Sequence, residues 1–240
     1  MATFEYGQDG SKPLSVYDIY NLFNNYRVWK YMMGMMIMLE KTELSSYKIL
    51  EAGGGGGNKL RFFTELRAKP ENCYGLDISE KAIEICKRLS PVDMNFQVAS
   101  VLEMPFENSM FDIVLCSNIF GCFSNDEDVL KISDEIWRVI KFKGVLLIVD
   151  INQYFWATHR NNEDVFKAKG LRTFDTTKNE LEKLLFPRFS CFRRQGVIGA
   201  DAYALKGQLC DIDQLPSMDQ DLDTGDQISS YTLYSFIPKP

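Results

Sequence analysis

Five consecutive glycines, Gly53 to Gly57, separate a short apolar run, Ile49-Leu50, from a segment of helical spacing that opens at Asn58. Few sequence features narrow a fold so far. Glycine reaches left-handed backbone conformations without steric cost and puts no Cβ in the way of an approaching ligand. A helix that starts just behind such a bend leaves free N–H groups at its first turn. They can hold a phosphate, or the carboxylate tail and ribose of a different nucleoside ligand. A glycine run on its own is equally a flexible turn, so the surrounding pattern has to decide.

That pattern is strand–helix alternation. Short apolar runs at Ile49-Leu50, Cys73 to Leu76, Phe96 to Val98, Phe111 to Cys116 and Val145 to Val149 alternate with helical stretches at 58–69, 79–89 and 126–140. Ser79 suits the N-cap of the second of these helices. The run Phe111 to Cys116 is nearly all apolar, as expected of a strand covered on both faces. Later come a helix at 177–186 and strands at 189–197 and 231–237. The prediction is an α/β fold: a doubly wound, mostly parallel, seven-stranded sheet with helices on both faces.

The flanking regions read differently. Residues 16–40 carry Tyr17, Tyr20, Phe23, Tyr26, Trp29, Tyr31 and five methionines at helix-like spacings, with Gly34 as a possible break. Residues 1–45 are expected to form a helical cap, and 46–240 the ligand-binding domain. Residues 201–227 hold seven aspartates against one lysine, Lys206, which suits a loop or lid.

Charge and cysteine usage restrict the partners. With 27 Lys+Arg against 33 Asp+Glu the net charge is −6, a poor match for nucleic acid or an anionic membrane. No apolar stretch has the length of a membrane span, and Tyr31 to Leu39 lacks the flanks of a secretory signal. The six cysteines include no C-x-x-C pair, so buried thiols are expected rather than a zinc site or a disulfide framework. The expected setting is cytoplasmic.

Asp77 raises the odds for a nucleoside. It ends the second strand in Tyr74-Gly75-Leu76-Asp77-Ile78, 26 positions after Glu51 (77 − 51). In a doubly wound sheet that position lies beside the first glycine bend, where a carboxylate can accept from two ribose hydroxyls. The bland alternative is a surface aspartate before Ser79. The glycines fit G-x-G-x-G at Gly53, Gly55 and Gly57, whereas the third glycine of a dinucleotide fingerprint is missing in either register.

On these residues the chain resembles the class I S-adenosylmethionine-dependent methyltransferases, over about residues 47–150. Four blocks carry the likeness in the family's order: Ile49-Leu50-Glu51-Ala52-Gly53-x-Gly55-x-Gly57; Tyr74-Gly75-Leu76-Asp77-Ile78-Ser79; Met104-Pro105-Phe106 followed by Phe111-Asp112-Ile113-Val114; and Arg138-Val139-Ile140-Lys141-x-x-Gly144-Val145-Leu146-Leu147. The resemblance implies S-adenosyl-L-methionine as cofactor. Glu51 and the bend at Gly53, Gly55 and Gly57 would hold its methionine part, Asp77 its ribose, and Ile78, Val101 and Leu102 its adenine. Cys116, Ser117 and Asn118 would lie near the sulfonium. Ser100 stands where many members carry an acid, and Gly121-Cys122 where many small-molecule members carry a histidine pair.

The reaction so implied is in-line displacement of a methyl group onto a small-molecule acceptor. Alignment and exclusion of water supply much of the catalysis, and a base is needed only if the nucleophile must lose a proton. The sole histidine, His159, is a candidate base, although a lone histidine in a loop is more often bland. Tyr20, Tyr26 and Asn118 are candidates for the acceptor side. Two other readings stand beside this one: a methyltransferase-like scaffold without transfer activity, and an NAD(P)-dependent oxidoreductase, for which no Tyr-x-x-x-Lys pair is apparent. The acceptor, the methylated atom and the oligomeric state are not legible.

Overall fold

Alternate residues of the central strands go to opposite faces, so one apolar run supplies two cores. The computed structural model describes residues 16–151, 170, 172–197 and 231–240. Its strands are β1 (Ile49–Ala52), β2 (Cys73–Asp77), β3 (Asn95–Val98), β4 (Phe111–Ser117), β5 (Ile140–Ile151), β6 (Phe189–Val197) and β7 (Tyr231–Pro238). The helices are α1 (Val16–Met38), α2 (Asn58–Glu65), α3 (Glu80–Leu89), α4 (Asp126–Val139) and α5 (Glu180–Leu185).

Ile113 and Leu115 of β4 join Leu147 and Val149 of β5 in a core with Leu60 and Phe63 of α2, Ile83 and Cys86 of α3, and Trp29, Met32 and Met35 of α1. Val114 and Cys116 point the other way, to Val129, Ile132 and Ile136 of α4 and Leu181 and Leu185 of α5. Helices therefore cover both faces, as the unbroken apolar strands require.

The strands run in the order β3-β2-β1-β4-β5-β7-β6. The first five pair in parallel, and β7 pairs antiparallel with both β5 and β6. The expected doubly wound, mostly parallel sheet of seven strands is present, with one strand reversed. Because β1 pairs with β2 on one side and β4 on the other, the crossovers diverge at its carboxyl end. Crevices for ligands open at such switch points.

Several boundaries differ from the sequence reading for local reasons. Of the one or two helices that fit 16–40, a single helix runs through Gly34, because Met32, Met35 and Met36 on either side are buried in the sheet-facing core. The helix after the glycines stops at Glu65, ahead of Arg67, whose φ is +74°. The one predicted at 177–186 divides into a tight turn at Thr176–Lys178 and the short α5, around Asn179 at φ +52°. His159 and the acidic stretch 201–227 lie outside the described residues, as does the Tyr20 side chain.

Candidate functional site

The bend after β1 is fastened to β2. Gly53 and Gly54 both donate their N–H to the Leu76 carbonyl, at 2.9 and 3.1 Å, and the Gly57 N–H returns to Gly54 O at 2.9 Å. Gly53, Gly55 and Gly57 all have left-handed backbone, with φ of +72°, +51° and +70°. Space is as restrictive as conformation. A Cβ on Gly53 would stand 2.7 Å from Ile119 Cδ1, and one on Gly57 2.9 Å from Cys86 Sγ. That thiol donates to Gly55 O at 3.0 Å. Burial pushes it up to about 12, so it is a neutral buttress beneath the bend.

Asp77 meets the bend directly. Its Oδ2 accepts the Gly55 N–H at 2.9 Å, and its Oδ1 accepts the Ser79 N–H at 2.9 Å. Each oxygen thus holds one backbone donor and retains a lone-pair site for a hydroxyl. Beside it, Ile78 is 54% exposed, an apolar side chain standing open at the end of β2. Val101 is buried, and Leu102 packs half-buried against the same core. Ser100 caps its own turn, its Oγ accepting the Leu102 N–H at 3.1 Å.

Glu51 lies under the bend, buried at the end of β1. Its Oε2 accepts the Leu60 N–H at 3.1 Å, which satisfies one of the orphan donors in the first turn of α2. Burial pushes this carboxyl up to about 7, against the attraction of Lys59 and the Leu60 hydrogen bond. Burial likewise lowers Lys59, with Glu51 opposing. Oε1 takes no hydrogen bond among the described residues. A cation brought to this place would favour the ionised carboxylate.

Across the crevice, β4 ends at Ser117, which pairs with Val149 of β5. The Ser117 hydroxyl is buried and has no partner among the described residues. An orphan hydroxyl at a strand end is a candidate ligand contact. Asn118 follows with φ +54° and an exposed side chain, its N–H on Val149 O at 2.7 Å. A turn at Phe120–Cys122 then leads towards α4. Asp150, at the end of β5, holds that turn. Its carboxylate accepts the Gly121 N–H at 3.1–3.2 Å and the Ile151 N–H at 2.8 Å. Burial pushes Asp150 up to about 7.

Glu51, the three glycines, Asp77, Ile78, Val101, Leu102, Ser117 and Asn118 therefore lie at or just beyond the carboxyl ends of β1, β2, β3 and β4. Tyr26 is 54% exposed on α1, and nothing described brings it to the crevice. Asp150 and Ile119 escaped the sequence reading. An acid ending β5 as Asp77 ends β2 was the available signal for the first; none marked the second. The remaining two blocks turn out to be structural. Asp112 accepts from the Lys48 N–H and from Lys141 Nζ at 2.9 and 2.8 Å, far from the crevice at the start of β4. Arg138 reaches the carbonyls of Met104 and Phe106 at 2.8 and 2.6 Å and so fixes the loop before β4.

The model of a methyltransferase domain matches residues 50–148, the stretch that holds this crevice. Among curated proteins, the uncharacterized methyltransferase YcgJ of Bacillus subtilis is 28% identical over 122 residues, covering 49% of this chain and 46% of that protein. The ubiquinone/menaquinone biosynthesis C-methyltransferase UbiE of Wigglesworthia glossinidia brevipalpis is 28% identical over 158 residues, 62% of this chain and 60% of that one. The chain spans about half the length of the curated relatives it matches first. Among solved structures, geranyl diphosphate C-methyltransferase from Streptomyces coelicolor, in complex with S-adenosyl-L-homocysteine, superposes with a TM-score of 0.58 at 12% identity. That alignment covers 81% of this chain and 73% of the other.

Proposed function

We propose that this chain belongs to the class I S-adenosylmethionine-dependent methyltransferases and transfers a methyl group from S-adenosyl-L-methionine to a small-molecule acceptor, a reading that the methyltransferase-domain match over residues 50–148 supports. The observation that carries the reading is the contact between the Asp77 carboxylate and the Gly55 N–H at the switch point of the sheet. It puts an acid with free lone pairs against a side-chain-free bend, the pairing that an adenosyl group with a charged amino-acid tail requires.

The residues present fit that cofactor. Asp77 would accept from the ribose hydroxyls, with Ile78 and the half-buried Leu102 offering apolar surface to the adenine. Glu51, whose Oε1 is unengaged among the described residues, would counter the positive charge of the methionine part across the bend. Ser117, with its orphan hydroxyl, would border the sulfonium. When bound, the cofactor supplies a methyl carbon activated by its positively charged sulfur. The chain aligns the acceptor and keeps water out, each of which lowers the barrier without any proton transfer.

UbiE and geranyl diphosphate C-methyltransferase are named for small-molecule chemistry, which supports an acceptor of that size here. The acidic net charge supports it too, since a polyanionic acceptor would be repelled. Among the described residues no helix is long and apolar enough to cross a membrane, and no group of side chains could hold a metal ion. A cytoplasmic setting belongs to the same proposal. The test is thermal unfolding with saturating S-adenosylhomocysteine or NAD. A ligand at about 100 times its Kd adds ~2.7 kcal/mol, which raises the midpoint measurably. A rise with S-adenosylhomocysteine and none with NAD is expected; the reverse would replace the proposal with an oxidoreductase.

A further inference from the structure

Gly121 has no room for a side chain. A Cβ there would lie 2.7 Å from Asp150 Oδ1 and 2.8 Å from the Arg172 carbonyl oxygen. The Asp150 carboxylate fills that space and takes the Gly121 N–H on both oxygens, while the Phe120 amide also faces it. On the other side of the turn, Gly121 O accepts the Arg172 N–H at 2.6 Å. Arg172 is itself held by Asp126 and Glu180, at 2.6 and 2.7 Å. The Cys122 thiol closes the turn on Asn118 O at 3.1 Å.

This turn carries Ile119, and the Ile119 side chain sits on the first glycine of the bend, within 2.7 Å of where a Gly53 Cβ would be. The contacts form a continuous line: Asp150 at the end of β5, the Gly121 N–H, the backbone of the turn, Ile119, and then Gly53. We infer that Asp150 is a positioning residue. From the acceptor side it fixes the Asn118–Cys122 turn, and through Ile119 it fixes the glycine bend that receives the cofactor. Without the carboxylate, the amides of the turn lose their acceptor and Ile119 is free to withdraw from Gly53. The inference rests on the methyltransferase reading for the identity of the ligand.

S-adenosylhomocysteine is the probe, and no acceptor is needed. Its affinity is measured by calorimetry for the wild type, Asp150→Ala, Ile119→Ala and the double variant, each checked for a cooperative melt. If Asp150 works through Ile119, each single change weakens binding by roughly fivefold or more, and the double change is no worse than the weaker single, because coupled sites are non-additive. Wild-type affinity in Asp150→Ala, or losses that multiply in the double variant, overturns the inference. Should Asp150→Ala not fold, the wild type decides by NMR. Adding the probe must then move the Gly121 and Ile151 amide resonances, and unmoved resonances refute the coupling. Absence of any binding to the wild type instead refutes the methyltransferase reading itself.

Discussion

Glu51 and Asp150 are carboxyls that folding takes out of water, and both are pushed up to about 7, from 4.5 and 3.8. A group whose folded value is raised binds its proton more tightly in the folded chain. The stability it adds is therefore complete below the unfolded value and is lost as pH rises through about 7. Between those limits each carboxyl makes stability fall by about 1.4 kcal/mol per pH unit. Urea unfolding at about pH 5.5 and about pH 8 should show the wild type losing more stability across that span than Asp150→Asn, whose amide does not titrate. Equal losses in the two proteins would contradict the burial argument. These residues also mark where sequence reading stops. Asp77 was legible because a glycine bend stood at the right distance upstream. Asp150 ends an equally apolar strand, but its partner is a backbone amide, and backbone amides carry no sequence signal.

The element on which the site depends is the bend leading into α2. Position 57 needs a left-handed backbone and also has Cys86 beneath it. Gly57→Ala should therefore cost about 1–3 kcal/mol of stability, for a strained φ plus a contact that the buried Cys86 cannot relieve. An unchanged urea midpoint in this variant would show that the bend has slack. The bend itself was plain in the sequence, since only glycine serves at three left-handed positions in five residues. The ends of helices were less so. α2 stops before Arg67 and α5 starts after Asn179, each at a non-glycine residue of positive φ, a conformation that backbone sterics disfavour and that local backbone hydrogen bonds close. α1 continues through Gly34 for the converse reason, because burial of its methionines outweighs roughly 1 kcal/mol of glycine propensity.

Over the whole molecule, alternation of apolar strands and amphipathic helices made the sheet legible, and the two-sided burial of β4 and β5 bears that reading out. Alternation does not show that β7 inserts between β5 and β6, since that pairing is set by the final strand running backwards. The insertion has a consequence. Deleting residues 231–240 removes an interior strand and strands β6 as well, so circular dichroism should show a chain without a cooperative transition; a cooperative melt would show the inner five strands to be self-sufficient. The same limit separated function from scaffold among the four sequence blocks. Two of them meet at the crevice, while Asp112 and Arg138 in the others brace loops and strand starts. What the molecule does then reduces to whether Asp77 and the bend take hold of an adenosyl ligand together. Calorimetric titration of S-adenosylhomocysteine into the wild type and Asp77→Ala asks this directly. Binding to the wild type, weakened about tenfold (~1.4 kcal/mol) or more in a variant that still melts cooperatively, is the expected result. Equal affinity in the two proteins would contradict it.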